Sequence, residues 1–154
     1  WNLVKEAGMP FGIGPGTPNP RERIESGLLS WGGDTDDYTN PFEVRMGRFV
    51  HLDCPDDTIG IQALRQIKED GPKRHQLGVK LIVDGELGYY DRKGLVFQNG
   101  TQVGHVTATT FSPRLQSNIG LCLVSRDVKP GDEVEVFLPD GVPATGTLCK
   151  LPFI

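Results

Sequence analysis

Apolar residues follow two different periods along this chain, and the change between them falls near residue 73. Upstream, short runs repeat at helical spacing. Trp1, Leu3, Val4 and Ala7 fit one helical face, and Gly8 closes that helix. Arg23, Ile24, Gly27, Leu28 and Leu29 place apolar and small groups on one side of a second helix, with Arg21, Glu22 and Glu25 on its wet side. Asn19 suits its N-cap and Pro20 its first position. Gly32 and Gly33 free the backbone beyond it, and Asp34, Asp36, Asp37 and Tyr38 lead to Asn40-Pro41, which forces Asn40 out of the helical region. The segment Asp34 to Pro41 therefore reads as a loop.

From Phe42 to Leu52, Phe42, Val44, Met46 and Phe49-Val50 partly alternate with Glu43, Arg45 and Arg48, which predicts a half-buried strand. Asp53 to Thr58 breaks it. A connecting helix follows, with Ile61, Ala63, Leu64 and Ile67 as its apolar stripe, Asp57 or Thr58 as its cap and Gly71-Pro72 as its stop. Downstream the period becomes two. Leu77, Val79, Leu81 and Val83 alternate, and strands are expected at Gly94 to Phe97, Val103 to Phe111, Ile119 to Val124, Val134 to Leu138 and Gly146 to Leu151. Asn99-Gly100, Lys129 to Asp132 and Asp140-Gly141 carry turn chemistry. Six short strands at this spacing predict a small antiparallel barrel or a jelly-roll-like sandwich, and with the helices an α+β chain.

Composition narrows the partners. With 154 residues the chain can bury a core, and its 20 Gly and 12 Pro suit a turn-rich β domain. A net charge of -4 without a Lys/Arg cluster argues against a nucleic-acid surface. Cys54, Cys122 and Cys149 are odd in number and lack C-x-x-C spacing, which suits a reduced, cytoplasmic setting. No apolar run approaches the roughly 18 residues of a membrane span, so no membrane partner is expected. The start at Trp1, inside a helical pattern, reads as that of a fragment.

Candidate chemistry is sparse. The glycines of Met9 to Gly16 resemble a phosphate loop, but Pro15 removes an amide, the third glycine comes one residue early, and Pro18 and Pro20 follow; an extended connector is the better reading. Glu25, Asp34, Asp36, Asp37 and Glu43 are close in sequence and read more readily as a solvated acidic turn than as an acid/base pair; the order required for a calcium loop is absent. Trp31 beside Gly32-Gly33 can face an aromatic ligand or plug the core. His51, His75 and His105 are scattered without metal spacing, Ser26 and Ser30 have no activating His nearby, and Arg114 lies in a turn where a surface role is the default.

A combination of motifs adds what spacing cannot. Arg23-Ile24-Glu25-Ser26-Gly27-Leu28-Leu29-Ser30-Trp31-Gly32, Asp34, Asp36 and Asn40-Pro41-Phe42-Glu43 resemble the R-L-E-A-G…Y-G-x-D…N-P-x-E segment of the glycine cleavage T-protein family. Gly104 to Thr107, Phe111-Ser112-Pro113, Asn118-Ile119-Gly120, Pro130-Gly131 and Leu151-Pro152-Phe153 resemble its later stretches. The resemblance implies three domains around a central tetrahydrofolate cavity. Residues 1-52 would be the end of the folate-binding α/β region, 53-73 a connecting helix and 74-154 the carboxy-terminal barrel. It also implies one-carbon transfer to tetrahydrofolate, the wording being most similar to the branch that demethylates dimethylsulfoniopropionate; aminomethyl transfer in glycine cleavage, or a non-catalytic folate-binding or interaction module, are the alternatives. Partners would be a small-molecule methyl donor, the amino-terminal half of the same protein and, for aminomethyl transfer, a lipoylated carrier protein. Trp31, standing where the family has Tyr, would wall the folate; Arg23 and Glu25 would hold its helix or reach the ligand, with Glu43 as a further candidate. The family's acidic residue near the reacting centre has no counterpart in this stretch.

Overall fold

The computed structural model describes residues 1–14, 19–139 and 141–154. Six strands, β1 (Arg74–Ile82), β2 (Gly94–Gln98), β3 (Thr101–Ser112), β4 (Ser117–Ser125), β5 (Glu133–Phe137) and β6 (Pro143–Cys149), close into an antiparallel barrel in the order β1-β4-β3-β2-β5-β6. Closure is made by β1 against β6, from Gly78 opposite Cys149 to Ile82 opposite Thr145. A closed sheet leaves no unpaired edge. Asn99 and Gly100, both at positive φ, form the two-residue β2–β3 turn, as Asn-Gly chemistry predicts.

Alternation on β1 turns Leu77, Val79 and Leu81 into the barrel, where they meet Val96, Val106, Cys122, Val134, Val136 and Leu148. Burial pushes the Cys122 thiol pKa up, so this cysteine behaves as a core residue. The run Ile119 to Val124 has no polar alternation because β4 is covered on both faces. Ile119 and Leu121, with Ala108, point outward into a second cluster completed by Ile24, Leu115, Leu151 and Phe153.

Ile24 comes from α2 (Pro20–Glu25), the helix that packs on β3 and β4. Asn19 caps it, its Oδ1 accepting from Arg21 N at 3.0 Å. Its end is a Schellman turn: Gly27 N donates to Ile24 O at 3.0 Å and Leu28 N to Arg23 O at 2.9 Å, with Gly27 at φ +65°. The helix therefore stops before the expected Leu28-Leu29 face, and Leu28 lies exposed beyond the turn. Another short helix, α1 (Asn2–Gly8), precedes it with a 3-10 turn at Met9–Phe11; Trp1, Leu3, Val4, Met9 and Phe11 are all exposed.

Three expectations are corrected. The strand predicted from Phe42 to Leu52 is instead a series of turns with a 3-10 turn at Gly47–Phe49. Its cause is local: Asn40 Oδ1 accepts from Phe42 N and Glu43 N, while Glu43 Oε2 accepts from Asn40 N, a reciprocal cap that curls the chain where alternation alone predicted extension. The connecting helix, α3 (Ile61–Asp70), starts after Gly60 in a left-handed conformation and has no side-chain cap from Asp57 or Thr58. Of its stripe, Ile61 is buried and Leu64 and Ile67 half-buried. The last strand ends at Cys149, leaving Leu151 in a tail laid against α2. Pro15 to Pro18 of the glycine-rich stretch, and Asp140 of the last predicted turn, lie outside the described residues.

Replacing Ile24 by Ala leaves a cavity between α2 and the outer face of β4. We expect a loss of about 3 kcal/mol in urea unfolding; a loss below about 1 kcal/mol would mean that this helix is not held by its apolar contact.

Candidate functional site

The stretch from α2 to α3 meets the barrel through three carboxylates, Glu25 at the end of α2 and Asp34 and Glu43 beyond it, and each is buried against a different partner. Asp34 is only 4% exposed. Its Oδ2 accepts from Arg23 Nη1 and from Ser30 N, and its Oδ1 accepts from the Thr107 hydroxyl. Thr107 is available because the register of β3 against β4 shifts between Val106 and Ala108, leaving it opposite no β4 residue. The bulge turns its hydroxyl toward the loop. Gly104, three residues earlier, admits no side chain: a Cβ there would lie 2.3 Å from Leu123 O.

Glu25 accepts through Oε1 from the Ser112 hydroxyl, and its backbone oxygen accepts from Phe153 N at 2.9 Å. Glu43 receives a two-point grip from Arg74, Nε to Oε1 at 2.8 Å and Nη2 to Oε2 at 2.9 Å, while Gln76 N donates to its backbone oxygen at 2.7 Å. The solvated acidic turn expected from the sequence is thus restricted to Asp36 and Asp37, and Glu25 is not on a wet face. Spacing could not reveal this, because Thr107, Ser112 and Arg74, which absorb the charges, lie 31 to 87 residues away.

Arg23 is the hub of the arrangement. Besides Asp34 it donates from Nη1 to Leu28 O at 2.9 Å, and its Nη2 lies 3.4 Å from the Tyr89 hydroxyl, with the guanidinium carbon 5.9 Å from the Tyr89 ring centre. Tyr89, from the β1–β2 connection, was not singled out by the sequence, which offers no periodic signal there. Trp31 sits on the loop that Asp34 anchors and is 73% exposed, so it is not a core plug. Gly32, at φ +83°, turns the chain behind it, and Gly32 N donates to Thr35 O at 2.7 Å. Tyr38 is exposed beyond it. The loop thus presents aromatic faces from a rigid base, a geometry suited to stacking.

Charged groups at the far end of the loop are also tied down. Lys93 Nζ lies 3.3 Å from Asp36 Oδ2, and the Thr39 hydroxyl bond, followed by Lys93, holds the Asp36 carboxyl below its usual range. His105, half-buried on β3, has its pKa lowered by burial first and then by Lys93 and Arg74. His51 and Arg114 are exposed and His75 half-buried; Ser26 is exposed and Ser30 half-buried. Among the described residues no cluster of His, Cys, Asp and Glu is arranged to hold a metal ion, and no helix is long and apolar enough to cross a membrane. Two shallow depressions, of about 340 and 480 Å³, are lined by residues such as Ile82, Glu135 and Thr145 and share no residue with the Arg23 cluster.

A closed six-stranded barrel whose leading segment is locked on by buried carboxylates defines a domain of a recurrent type, and residues 74–154 match the family model of the glycine cleavage T-protein C-terminal barrel domain. The chain belongs to the glycine cleavage T-protein family. It is 35% identical over 143 residues to the dimethylsulfoniopropionate demethylase DmdA of Ruegeria pomeroyi, covering 92% of this chain and 38% of that protein. To the aminomethyltransferase of Thermotoga petrophila it is 38% identical over 156 residues, covering 99% and 40%. The crystal structure of aminomethyltransferase T from Bartonella henselae shares its fold, with a TM-score of 0.72 at 24% identity over 88% of this chain and 37% of that one. The chain therefore spans about two fifths of the length of these relatives.

Two outcomes follow from the buried charges. Removing the Asp34 carboxylate by Asp34→Ala strands Arg23 and should cost about 3 to 5 kcal/mol in urea unfolding, with Trp31 fluorescence reporting release of the loop. His105 binds its proton more weakly folded than unfolded, so its contribution to stability is complete above the unfolded pKa of about 6.5 and is lost as pH falls through the folded value. The unfolding midpoint should drop between pH 7.5 and 5, and His105→Gln should flatten that slope.

Proposed function

We propose that this chain is the carboxy-terminal part of a tetrahydrofolate-dependent one-carbon transferase, and that the reaction is methyl transfer from dimethylsulfoniopropionate to tetrahydrofolate. Residues 1-52 are read as the end of the folate-binding region, 53-73 as its connector and 74-154 as the closing barrel. The amino-terminal half of the same protein supplies the rest of the cavity and covers the apolar residues of α1, and the whole acts in the cytoplasm.

One observation carries this reading: Trp31 offers an open indole face on a loop immobilised by Arg23, Asp34 and Thr107. Such a face walls a flat pterin, and it attracts a cationic sulfonium by its electron-rich surface. Arg23 and Glu25 act by holding the helix and loop in place, and Glu43 by fixing the following turn to Arg74. Each buried carboxylate is consumed by these bonds. A methyl on sulfonium needs no acid at its leaving group, whereas an aminomethyl carrier does. Folate N5 is the nucleophile in this reading, and the protein acts by bringing it into line with the activated carbon.

Aminomethyl transfer from a lipoylated carrier is the second reading, favoured by the 38% identity to the Thermotoga petrophila enzyme over 99% of the chain. A single-turnover assay of the full-length protein with tetrahydrofolate and dimethylsulfoniopropionate, followed by mass, separates the two. The expected product is 5-methyltetrahydrofolate. No methyl product, with methylene transfer from an aminomethyl-lipoyl carrier, would establish the second reading, and inactivity with both would leave a folate-binding module. Trp31→Ala should weaken tetrahydrofolate binding about tenfold or more by titration, while leaving the unfolding midpoint nearly unchanged because the ring is exposed.

A further inference from the structure

Arg45 differs from the other arginines built into the fold. Arg23 is paired with Asp34, Arg65 with Asp56 and Arg74 with Glu43; among the described residues Arg45 meets no carboxylate. Its guanidinium is nevertheless held in place. Nε donates to Gln76 Oε1 at 3.2 Å and Nη2 to Gly27 O at 2.9 Å. Both acceptors are neutral. A positive charge is thereby fixed, on a side chain that still meets solvent, without a counter-charge; partial burial first and the like charge of Arg48 second lower the Arg45 pKa. The two bonds occupy the Nε–Nη2 side of the fork. The Nη1 end makes no hydrogen bond among the described residues, and Nη2 retains a second proton, so the end-on edge is open to a two-point acceptor.

Two neighbours bear on the same space. Gly27 keeps it clear, since a Cβ there would lie 2.7 Å from Arg45 Nη2. Gln76 is 4% exposed, and its Nε2 is buried without an acceptor. Its orientation is fixed, because turning the amide over would set its NH₂ against the Arg45 Nε–H. The cation is therefore braced by neutral acceptors alone, and its open edge lacks an oxygen that carries negative charge. Arg45 also has φ +61°, a conformation side-chain-bearing residues rarely adopt.

We propose that Arg45, braced by Gln76, is an oxyanion-binding site whose ligand carries a carboxylate or phosphate group. Its residues are distinct from Trp31 and from the groups assigned to the transfer reaction. Binding there would press on the Gly27 turn that ends α2, giving an anionic ligand a handle on the loop downstream.

The test uses side-chain ¹⁵N spectra of the full-length protein, in which the Arg45 Nε–H is shielded by its bond to Gln76. Glutarate and inorganic phosphate are titrated separately at constant ionic strength. We expect a saturable shift of the Arg45 Nε and Gln76 Nε2 signals, weakened at least about tenfold by Arg45→Gln and unchanged by Arg21→Gln. Tighter binding of glutarate than of phosphate would identify a carboxylate ligand, and the reverse a phosphate. Gln76→Glu keeps the test open if Arg45→Gln fails to fold, since it gives Arg45 an internal carboxylate and should abolish anion binding. A shift that never saturates, or an affinity unaltered by Arg45→Gln and Gln76→Glu, would overturn the proposal.

Discussion

The fold of the leading segment depends on satisfying charged groups that are held out of water. Asp34, Glu25 and Glu43 are each too buried to be left unpaired, and each is satisfied by a group on the barrel: the Thr107 hydroxyl, the Ser112 hydroxyl and the Arg74 guanidinium. Because a buried carboxylate without its partner is costly, these contacts fix position more than they add stability. They set how the loop after α2 turns and how Trp31 is presented. Apolar packing of Ile24 on Ile119 and Leu121 holds the helix against the sheet, but it is non-directional and cannot specify that loop.

The barrel supplies the fixed half of these contacts through two irregularities. The bulge at Thr107 turns a hydroxyl outward at the position where Asp34 arrives. The turn after β3 lets Ser112 both donate to Glu25 and accept from Leu115 N at 3.1 Å. Strand β4, buried on both faces, then acts as the shared wall between the barrel interior and the helix-covered exterior. A change of volume at Ile119 or Leu121 would be felt at the loop, while one at Val124 would be felt inside the barrel.

The barrel was legible in the sequence because its signals are local: alternation at Leu77, Val79 and Leu81, an unbroken apolar run on β4, and Asn-Gly at the β2–β3 turn. The leading segment was less so. Alternation from Phe42 predicted a strand, but the Asn40–Glu43 cap and the Arg74 grip outweighed it. Helical spacing assigned Glu25 to water because the partner that makes its burial tolerable is Ser112, far along the chain. Trp31 was left between two roles, ligand face and core plug, since exposure is a property of the packed molecule. Tyr89 and Arg45 carried no signal of their own, and Thr107 stood out only as part of a family motif: their importance rests on what meets them in space.

The pairing of β1 with β6 has a consequence for biosynthesis. The first strand of the barrel waits for the last, and the tail bond from Phe153 to Glu25 forms later still. On the ribosome, β1 to β4 can assemble as an open sheet, but its β1 edge stays unpaired until β6 has cleared the exit tunnel. During that interval the nascent chain carries a sticky strand edge beside an uncovered apolar lining. Ribosome-bound chaperones should therefore engage this protein late in translation, and a stop codon placed before β6 should yield an aggregating product rather than a smaller domain.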